Sequence, residues 1–163
     1  MSVRARLEDA LFLWNAGRKE GAWTQVLIAA AATSRIRFPR PITDQQAFRS
    51  FIREVTPTIF DGVSPPAPGG ITVGFYTDVY GDGVDLDYLF YVHLRCNLVH
   101  EAVLPVEVKL SESRIVDGKL VADLQGTGKM SSPLTIPDFW VIHLAKAVAL
   151  APENVVTCAD LFP

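Results

Sequence analysis

The stretch DYLFYVHLRCNLVHEAVL, residues 87–104, decides how this chain is expected to fold, because it predicts a largely apolar helix that ends before Pro105. Within that helix, the segment LRCNLVHE (residues 94–101) carries several polar groups in close succession. Arg95 is charged at every working pH, and His100 is the residue type whose proton moves near neutrality. The segment is therefore either a neutralised polar cluster in a core or a functional site.

The composition indicates one globular domain, spanning residues 1–163, of which 49% are hydrophobic and 20% charged. The net charge of −3 argues against a protein whose main work is coating nucleic acid non-specifically, although a local basic patch is compatible with it. Cys96 and Cys158 form no CxxC pair, which is typical of reduced thiols in a cytoplasmic protein. The N-terminus lacks the apolar core of a signal peptide, and the longest apolar run, residues 26–32, is too short to span a membrane. We therefore expect a cytoplasmic protein with no membrane partner.

Helical spacing dominates the first third of the chain. Residues 3–34 predict either one amphipathic helix of about 30 residues or two helices broken near residues 17–21, which contain two glycines. Thr43, with Gln46 three residues later, has the pattern of a capping box and predicts the start of the next helix. Pro57 is expected to stop that helix.

The centre of the chain contains loops and two motifs that invite sharper interpretations. Four aspartates lie between residues 78 and 87, but a calcium loop placed there would have Leu89 where a bidentate glutamate is needed. A turn followed by a helix over about residues 86–102, with Asp85 or Asp87 as its N-cap, fits better. The segment GTGKMSS (126–132) lacks the spacing of a phosphate-binding loop and is interpreted as an ordinary loop.

Short β-segments are expected on both sides of the 86–102 helix. Residues 71–76 predict a short strand, residues 106–110 alternate like a strand, and residues 114–124 predict a hairpin that turns at Asp117-Gly118. Together, residues 106–124 form a small β-hairpin insertion before the last helix.

The last helix is expected over residues 139–150, where nearly every side chain is apolar, so it should be central. Thr135 and Asp138 are expected to cap it, with Pro137 in its first turn. The sum is a mainly α fold: an antiparallel bundle of four or five helices with a small β-hairpin inserted before the final helix.

Two chemical interpretations of LRCNLVHE fit poorly. His93 and His100 are separated by ~10.5 Å of helix rise, too far to share one zinc ion. Cys96 and His100 could share one, but the chain offers no second pair of ligands, so we expect no metal and no cofactor. The sequence has no GxSxG motif, which argues against a serine hydrolase. His143, in the apolar last helix, is expected to be a core histidine with one partner.

Two interpretations then remain open. In the first, Arg95 and His100 pair with acidic groups, such as Glu101 or the aspartates of residues 78–87. In the second, they cleave RNA: a histidine takes the proton from a ribose 2′-OH, and an arginine fork holds the phosphate. On a straight helix the two side chains lie ~140° apart. They converge if the helix loosens near His100, or if a second copy of the helix faces the first across a two-fold axis.

The segment RCNLVH, from Arg95 to His100, resembles the Rx4–6H motif of the HEPN superfamily (higher eukaryotes and prokaryotes nucleotide-binding domains). The resemblance covers residues 3–102 and the last helix, and leaves the hairpin outside the family pattern. Cys96 departs from the polar residue that active members often have after the arginine, and Asn97 follows it. The resemblance implies Arg95 and His100 as catalytic residues, with Asn97 and Glu101 as supporting contacts to the substrate.

The family likeness also implies partners. HEPN proteins are commonly homodimers with the motif at the interface, and many are metal-independent ribonucleases of toxin–antitoxin or other defence systems, some with a nucleotidyltransferase-like antitoxin. We therefore expect an endoribonuclease acting on RNA at a dimer-interface cleft; the alternative is a non-catalytic HEPN-like nucleic-acid-binding or protein-interaction module. Burial of His100 would favour the alternative. RNA would be favoured by a basic surface at one end of the molecule, formed by Arg18, Lys19, Arg35, Arg37, Arg40, Arg49 and Arg53.

Overall fold

The N-terminal amphipathic segment forms two helices rather than one: α1 spans Val3–Asn15, and α2 spans Lys19–Arg37. Gly17, with a φ of 73°, adopts the left-handed conformation that glycine tolerates, so the chain turns there and α1 packs on α2. The break predicted near residues 17–21 is confirmed. The computed structural model describes residues 2–77, 80–117, 119–121 and 134–163.

The next helix, α3 (Asp44–Asp61), begins as predicted but does not stop at Pro57. The Thr43 side chain accepts a hydrogen bond from the Gln46 backbone N–H, and the Gln46 side chain accepts one from the Thr43 N–H, both at 3.2 Å. The helix passes through Pro57 and ends at Gly62, whose φ is 73°. The prediction of a capping box is therefore confirmed, and the prediction that Pro57 ends the helix is wrong.

The loop that follows α3 explains why Pro57 is tolerated. Proline has no N–H to donate to the carbonyl of Arg53, four residues earlier. That carbonyl instead accepts from the Ile71 N–H at 3.0 Å, and the neighbouring Glu54 carbonyl accepts from the Ala67 N–H at 2.8 Å. The proline-rich loop is thus held against the helix by backbone groups that a regular helix would have used internally.

Three small two-stranded sheets accompany the helices in the described part of the chain. Strands β1 (Gly74–Thr77) and β2 (Tyr80–Asp85) are antiparallel, so the strand expected over residues 71–76 starts three residues later than predicted. The predicted hairpin is confirmed as β4 (Arg114–Val116) and β5 (Lys119–Val121), with Asp117 at a φ of 50° in the turn.

A parallel pair was not foreseen: β3 (Val108–Ser111) lies beside β6 (Leu134–Pro137). The segment expected to form the N-terminal cap and first turn of the last helix is therefore a strand, and the predicted roles of Thr135 and Pro137 are wrong. The Asp138 carboxylate accepts hydrogen bonds from Lys19 and from the Ser113 N–H, so it does not cap the helix either. The loop at 126–132 lies outside the described residues.

The helix that carries Arg95 is continuous over residues 86–100 but is not a regular α-helix. It consists of α4 (Leu86–Tyr88), a π-helix (Leu89–Cys96) and α5 (Asn97–His100). Asp85 stands at the predicted N-cap position, although its side chain makes no capping hydrogen bond. The chain leaves the helix two residues earlier than predicted, through Ala102, whose φ is 56°.

Helix α2 lies at the centre, in contact with α1, α3 and α6 (Trp140–Leu150), and α3 also packs on α6. The predicted central position of the last long helix is confirmed, because Val141, Leu144, Ala145 and Val148 are fully buried. Helix α7 (Val155–Cys158) and a 3-10 turn (Ala159–Leu161) close the chain. The fold is mainly helical with small sheets, as predicted. No helix in the described ranges is long and apolar enough to cross a membrane.

Candidate functional site

Arg95 lies at the end of the π-helix, half-buried against two aromatic rings. Its guanidinium carbon is 5.3 Å from the centre of the Tyr91 ring and 5.7 Å from that of Phe48. These are cation–π distances. Among the described residues, none forms a hydrogen bond or an ion pair with the Arg95 guanidinium, so its N–H groups are not occupied by a carboxylate there.

The acidic residues expected to neutralise Arg95 are engaged elsewhere. The side chain of Asp87, 1% exposed, accepts from Arg49 Nε at 2.6 Å and lies 3.1 Å from Arg53 Nη2. Asp85 lies 4.0 Å from Arg49. Two further aspartates of this loop have side chains outside the described part of the structure: Asp78 and Asp82. For the aspartates that can be placed, pairing with Arg95 is excluded.

His100 and Glu101 are both exposed at the C-terminal end of α5. Burial of His100, which would have favoured a non-catalytic module, is therefore not observed. A regular α-helical path from Arg95 to His100 places the two side chains ~140° apart around the helix axis, with ~7.5 Å of rise between them. The irregular helical turns span Leu89–Cys96 and include Arg95, so the loosening expected near His100 is found earlier in the helix. In the described part of the structure, no hydrogen bond, ion pair or ring contact joins the two side chains.

Asn97 supports the backbone of the π-helix. Its Nδ2 donates to the carbonyl of Val92 at 3.0 Å and to that of His93 at 3.1 Å. A π-helix displaces carbonyls from the regular i→i+4 ladder, and a side-chain amide can satisfy them. This role of Asn97 was not predicted from the sequence. The signal that could have indicated it is an amide side chain placed four and five residues after the carbonyls to which it donates.

The other candidate ligands of this helix are spread along it. His93 is half-buried beside the Tyr88 ring, and burial lowers the pKa of its imidazole while the nearby Glu107 acts in the opposite direction. Cys96 is half-buried and is a free thiol. Within the described ranges there is no group of three or more histidine, cysteine, aspartate or glutamate side chains that could hold a metal ion.

Most of the basic residues proposed to form a surface for RNA are neutralised by carboxylates. Besides Arg49 and Arg53, the structure pairs three more of them with acidic side chains: Arg35 with Asp44, Arg37 with Glu54 and Glu153, and Lys19 with Asp138. The pairing at Arg37 lowers the pKa of Glu153. A continuous surface of free cations is therefore not formed by these residues.

His143 has the polar partner that the sequence predicts, but its side chain is half-buried rather than enclosed in the core. Its Nδ1 donates to the Ile59 carbonyl at 2.8 Å, and its ring packs edge-on against Phe139. Burial lowers the pKa of its imidazole; the Ile59 carbonyl and Asp61 oppose that shift, and Lys146 adds to it.

Comparisons with known proteins identify a family for this chain but no activity. A search of curated proteins and a search of solved structures each found no match. The model of one family, described as Rv1289, matches residues 2–159, which is almost the whole chain. The chain belongs to the Rv1289 family.

Proposed function

We propose that the protein is a metal-independent endoribonuclease of the HEPN type, with Arg95 and His100 as its catalytic pair. One contrast supports this proposal: Arg49 and Arg53 share a buried carboxylate, whereas Arg95 rests on Tyr91 and Phe48 with no carboxylate partner among the described residues. An arginine placed this way keeps its planar fork of donors for an external oxyanion.

The chemistry needs one base and one fixed cation. His100 removes the proton from a ribose 2′-OH, the 2′ oxygen attacks the adjacent phosphorus, and the bond from phosphorus to the 5′ oxygen of the next nucleotide breaks. The leaving 5′ oxygen takes up a proton from water, His100 returns its proton to the solvent, and the products are a 2′,3′-cyclic phosphate and a free 5′-OH. Arg95 stabilises the negative charge that builds on the phosphate oxygens in the transition state.

The spacing of the pair favours a second copy of the chain. Regular α-helical geometry places Arg95 and His100 ~140° apart, which does not direct both side chains at one phosphate. We infer a homodimer in which the two 86–100 helices face each other, so that Arg95 of one copy works with His100 of the other. His100 is exposed, which is the condition for meeting a partner.

A second candidate is a non-catalytic HEPN-like interaction module. The observation that favours it is the pairing of most basic side chains with carboxylates, because neutralised arginines release few counterions from an RNA backbone. This candidate predicts weak RNA binding and no cleavage at any salt concentration.

Incubation of purified protein with total RNA, with and without EDTA, tests the proposal. We expect cleavage that EDTA does not affect and products that carry cyclic phosphate.

Variants of the catalytic pair test the roles of its members. Arg95→Ala and His100→Ala should each remove most of the activity, and the histidine change should lower the rate by roughly 10² to 10⁴. Arg114→Ala, at an exposed arginine of β4 in the hairpin that lies outside the family pattern, is the matched control and should cleave like the wild type. Loss of activity in EDTA with recovery in magnesium, or full activity of His100→Ala, contradicts the proposal.

A further inference from the structure

Arg95 lies in a notch between two aromatic rings, one from its own helix and one from α3. The centres of the Tyr91 and Phe48 rings are 5.8 Å apart, and the ring planes are inclined by 55°. The guanidinium carbon of Arg95 lies over both rings, 5.3 Å from the centre of Tyr91 and 5.7 Å from that of Phe48. The three centres therefore form a nearly equilateral triangle, and the two rings restrict the guanidinium on two sides.

The two walls of this notch differ in how deeply they are buried. Phe48 is 1% exposed and belongs to the hydrophobic core, where α3 packs on the 86–100 helix. Tyr91 is half-buried, packs against that core, and lies four residues before Arg95 inside the π-helix. Phe48 is thus a fixed wall that belongs to the core, and Tyr91 is the wall that can be changed without emptying the core.

A ring beside an arginine can orient it without using its hydrogen-bond donors. An arginine side chain has several rotatable bonds, and fixing them costs free energy when a ligand binds. Stacking on a ring restricts this freedom in advance through the flat face of the guanidinium, so the N–H groups at its edge remain for an oxyanion. A carboxylate would restrict the side chain as well, but it would compete with the phosphate for the same N–H groups.

We propose that Tyr91 is a positioning residue for RNA cleavage by Arg95 and His100. The inference rests on the proposed function, because it gives Tyr91 a role that acts only through Arg95. The Tyr91 ring holds the guanidinium plane in one orientation before RNA binds, so that its edge N–H groups meet the phosphate as charge builds on the phosphate oxygens. Tyr91 itself touches no reacting atom.

Tyr91→Leu and Tyr91→Phe are a matched pair of variants that test this role. Leucine has no aromatic face, whereas phenylalanine keeps the ring. In single-turnover cleavage of an RNA that the wild type cuts, Tyr91→Leu should lower the rate roughly tenfold or more, with a smaller change in RNA affinity. Tyr91→Phe should keep most of the rate. Thermal melts accompany the variants, and if Tyr91→Leu does not fold, Tyr91→Met replaces it.

The control for the loss of a ring is Phe60→Leu. Phe60 is a partly exposed residue of α3 whose ring packs on Trp140. It lies twelve residues beyond Phe48, which is ~18 Å along the helix. Phe60→Leu should cleave RNA like the wild type, and a loss equal to that of Tyr91→Leu would mean that any missing ring lowers the rate.

A double-mutant cycle shows whether Tyr91 acts through Arg95. Arg95→Lys keeps a positive charge but has no planar group whose orientation a ring could fix. Adding Tyr91→Leu to Arg95→Lys should therefore lower the remaining rate much less than Tyr91→Leu lowers that of the wild type. An equal loss in the two backgrounds, with unchanged thermal melts, overturns the proposal.

Nuclear magnetic resonance of the arginine Nε–H groups gives a measurement that needs no RNA. The signal that is missing from Arg95→Ala identifies Arg95. Ring currents should displace this signal in the wild type and in Tyr91→Phe, and the displacement should shrink in Tyr91→Leu. A wild type that cleaves no RNA contradicts the proposed function and removes this role with it. If the wild type cleaves, a Tyr91→Leu variant that is equally fast, or whose Arg95 signal is unchanged, overturns this inference alone.

Discussion

At the scale of single residues, the arginines beside α3 divide into two kinds. Arg49 and Arg53 hold the buried Asp87, and their charges are neutralised there. Arg95 rests on the rings of Tyr91 and Phe48, which contributes about 0.5–1 kcal/mol to stability and leaves its donors unoccupied among the described residues. We expect arginines of the first kind to contribute to the stability of the fold, and Arg95, of the second kind, to contribute to substrate binding.

The first prediction compares these kinds in urea unfolding. Arg95→Ala and His100→Ala should each lower the free energy of unfolding by less than about 1 kcal/mol, because neither strands a buried partner. Asp87→Ala should lower it by about 2 kcal/mol, because it leaves two guanidinium groups without their acceptor. If Arg95→Ala destabilises the protein as much as Asp87→Ala does, Arg95 is a structural residue.

The second prediction concerns pH and His143. Burial lowers the pKa of His143 in the folded chain, so the unfolded chain takes up the proton first as pH falls. The associated stability is present above the unfolded pKa of about 6.5 and is lost as pH falls towards the lower folded value. Urea unfolding between pH 7.5 and 5 should show the wild type losing stability, with His143 contributing at most about 1.4 kcal/mol per pH unit.

The control for that prediction is His143→Asn, whose amide can still reach the Ile59 carbonyl. It should lose less stability than the wild type over the same range. A residual slope is expected, because burial also lowers the pKa of His93. Identical pH profiles for the wild type and His143→Asn contradict the prediction.

At the scale of elements, the loop after α3 is held to that helix by backbone hydrogen bonds to Arg53 and Glu54. Two neighbouring glycines in the loop differ in their surroundings. Gly69 and Gly70 both have left-handed φ values, 79° and 77°. A Cβ on Gly70 would lie 2.6 Å from the Cβ of Arg53, whereas one on Gly69 would have nothing within 4 Å.

The third prediction uses this pair. Gly69→Ala should lower the free energy of unfolding by about 1–2 kcal/mol, the cost of the left-handed backbone alone. Gly70→Ala should lower it by roughly 1–3 kcal/mol more, because the loop must also move away from Arg53. Chemical unfolding of the two variants measures the difference, and equal losses would mean that the loop is not docked as described.

The fourth prediction concerns Asn97 and the π-helix. Asn97→Asp keeps the size of the side chain but removes the donors to Val92 and His93, so stability should fall by about 1–2 kcal/mol. If Asn97 instead acts only as a substrate contact, as the family resemblance implies, the variant will unfold like the wild type and lose only RNA cleavage. Unfolding and cleavage measured on the same preparation separate the two roles.

Local signals in the sequence were sufficient for the elements that depend on near neighbours. The Thr43 capping box, the break at Gly17 and the hairpin at Asp117 each involve residues within a few positions. The passage of α3 through Pro57 depends on Ala67 and Ile71, and the partner of Asp138 is Lys19. Such contacts join segments that no spacing rule relates. For the same reason, the sequence indicated Arg95 as a candidate site residue. It did not reveal that the Asp87 carboxylate is paired with Arg49 and Arg53 instead.

At the scale of the whole molecule, the proposed mechanism depends on assembly. The fifth prediction is that sedimentation at micromolar concentration shows a species of twice the 17.9 kDa chain mass. His100→Ala should sediment like the wild type, and mixing it with Arg95→Ala should restore part of the cleavage, because a mixed dimer keeps one intact pair. A monomer that cleaves RNA, or mixing that restores nothing between two dimeric variants, contradicts the two-copy site.

In the π-helix at Leu89–Cys96, the number of residues and the direction in which later side chains point are related differently from an α-helix. Its turns are wider than those of an α-helix, so they hold more residues over the same length of axis. Removing one residue there would let the segment approach α-helical winding while the later residues stay close to their present faces, because the π-helix had absorbed the extra residue. The arginine and the histidine would keep their mutual spacing and roughly their direction. In this family, a one-residue gap at this place in an alignment is therefore compatible with an intact motif, whereas the same gap in a regular α-helix would turn the motif by about 100°.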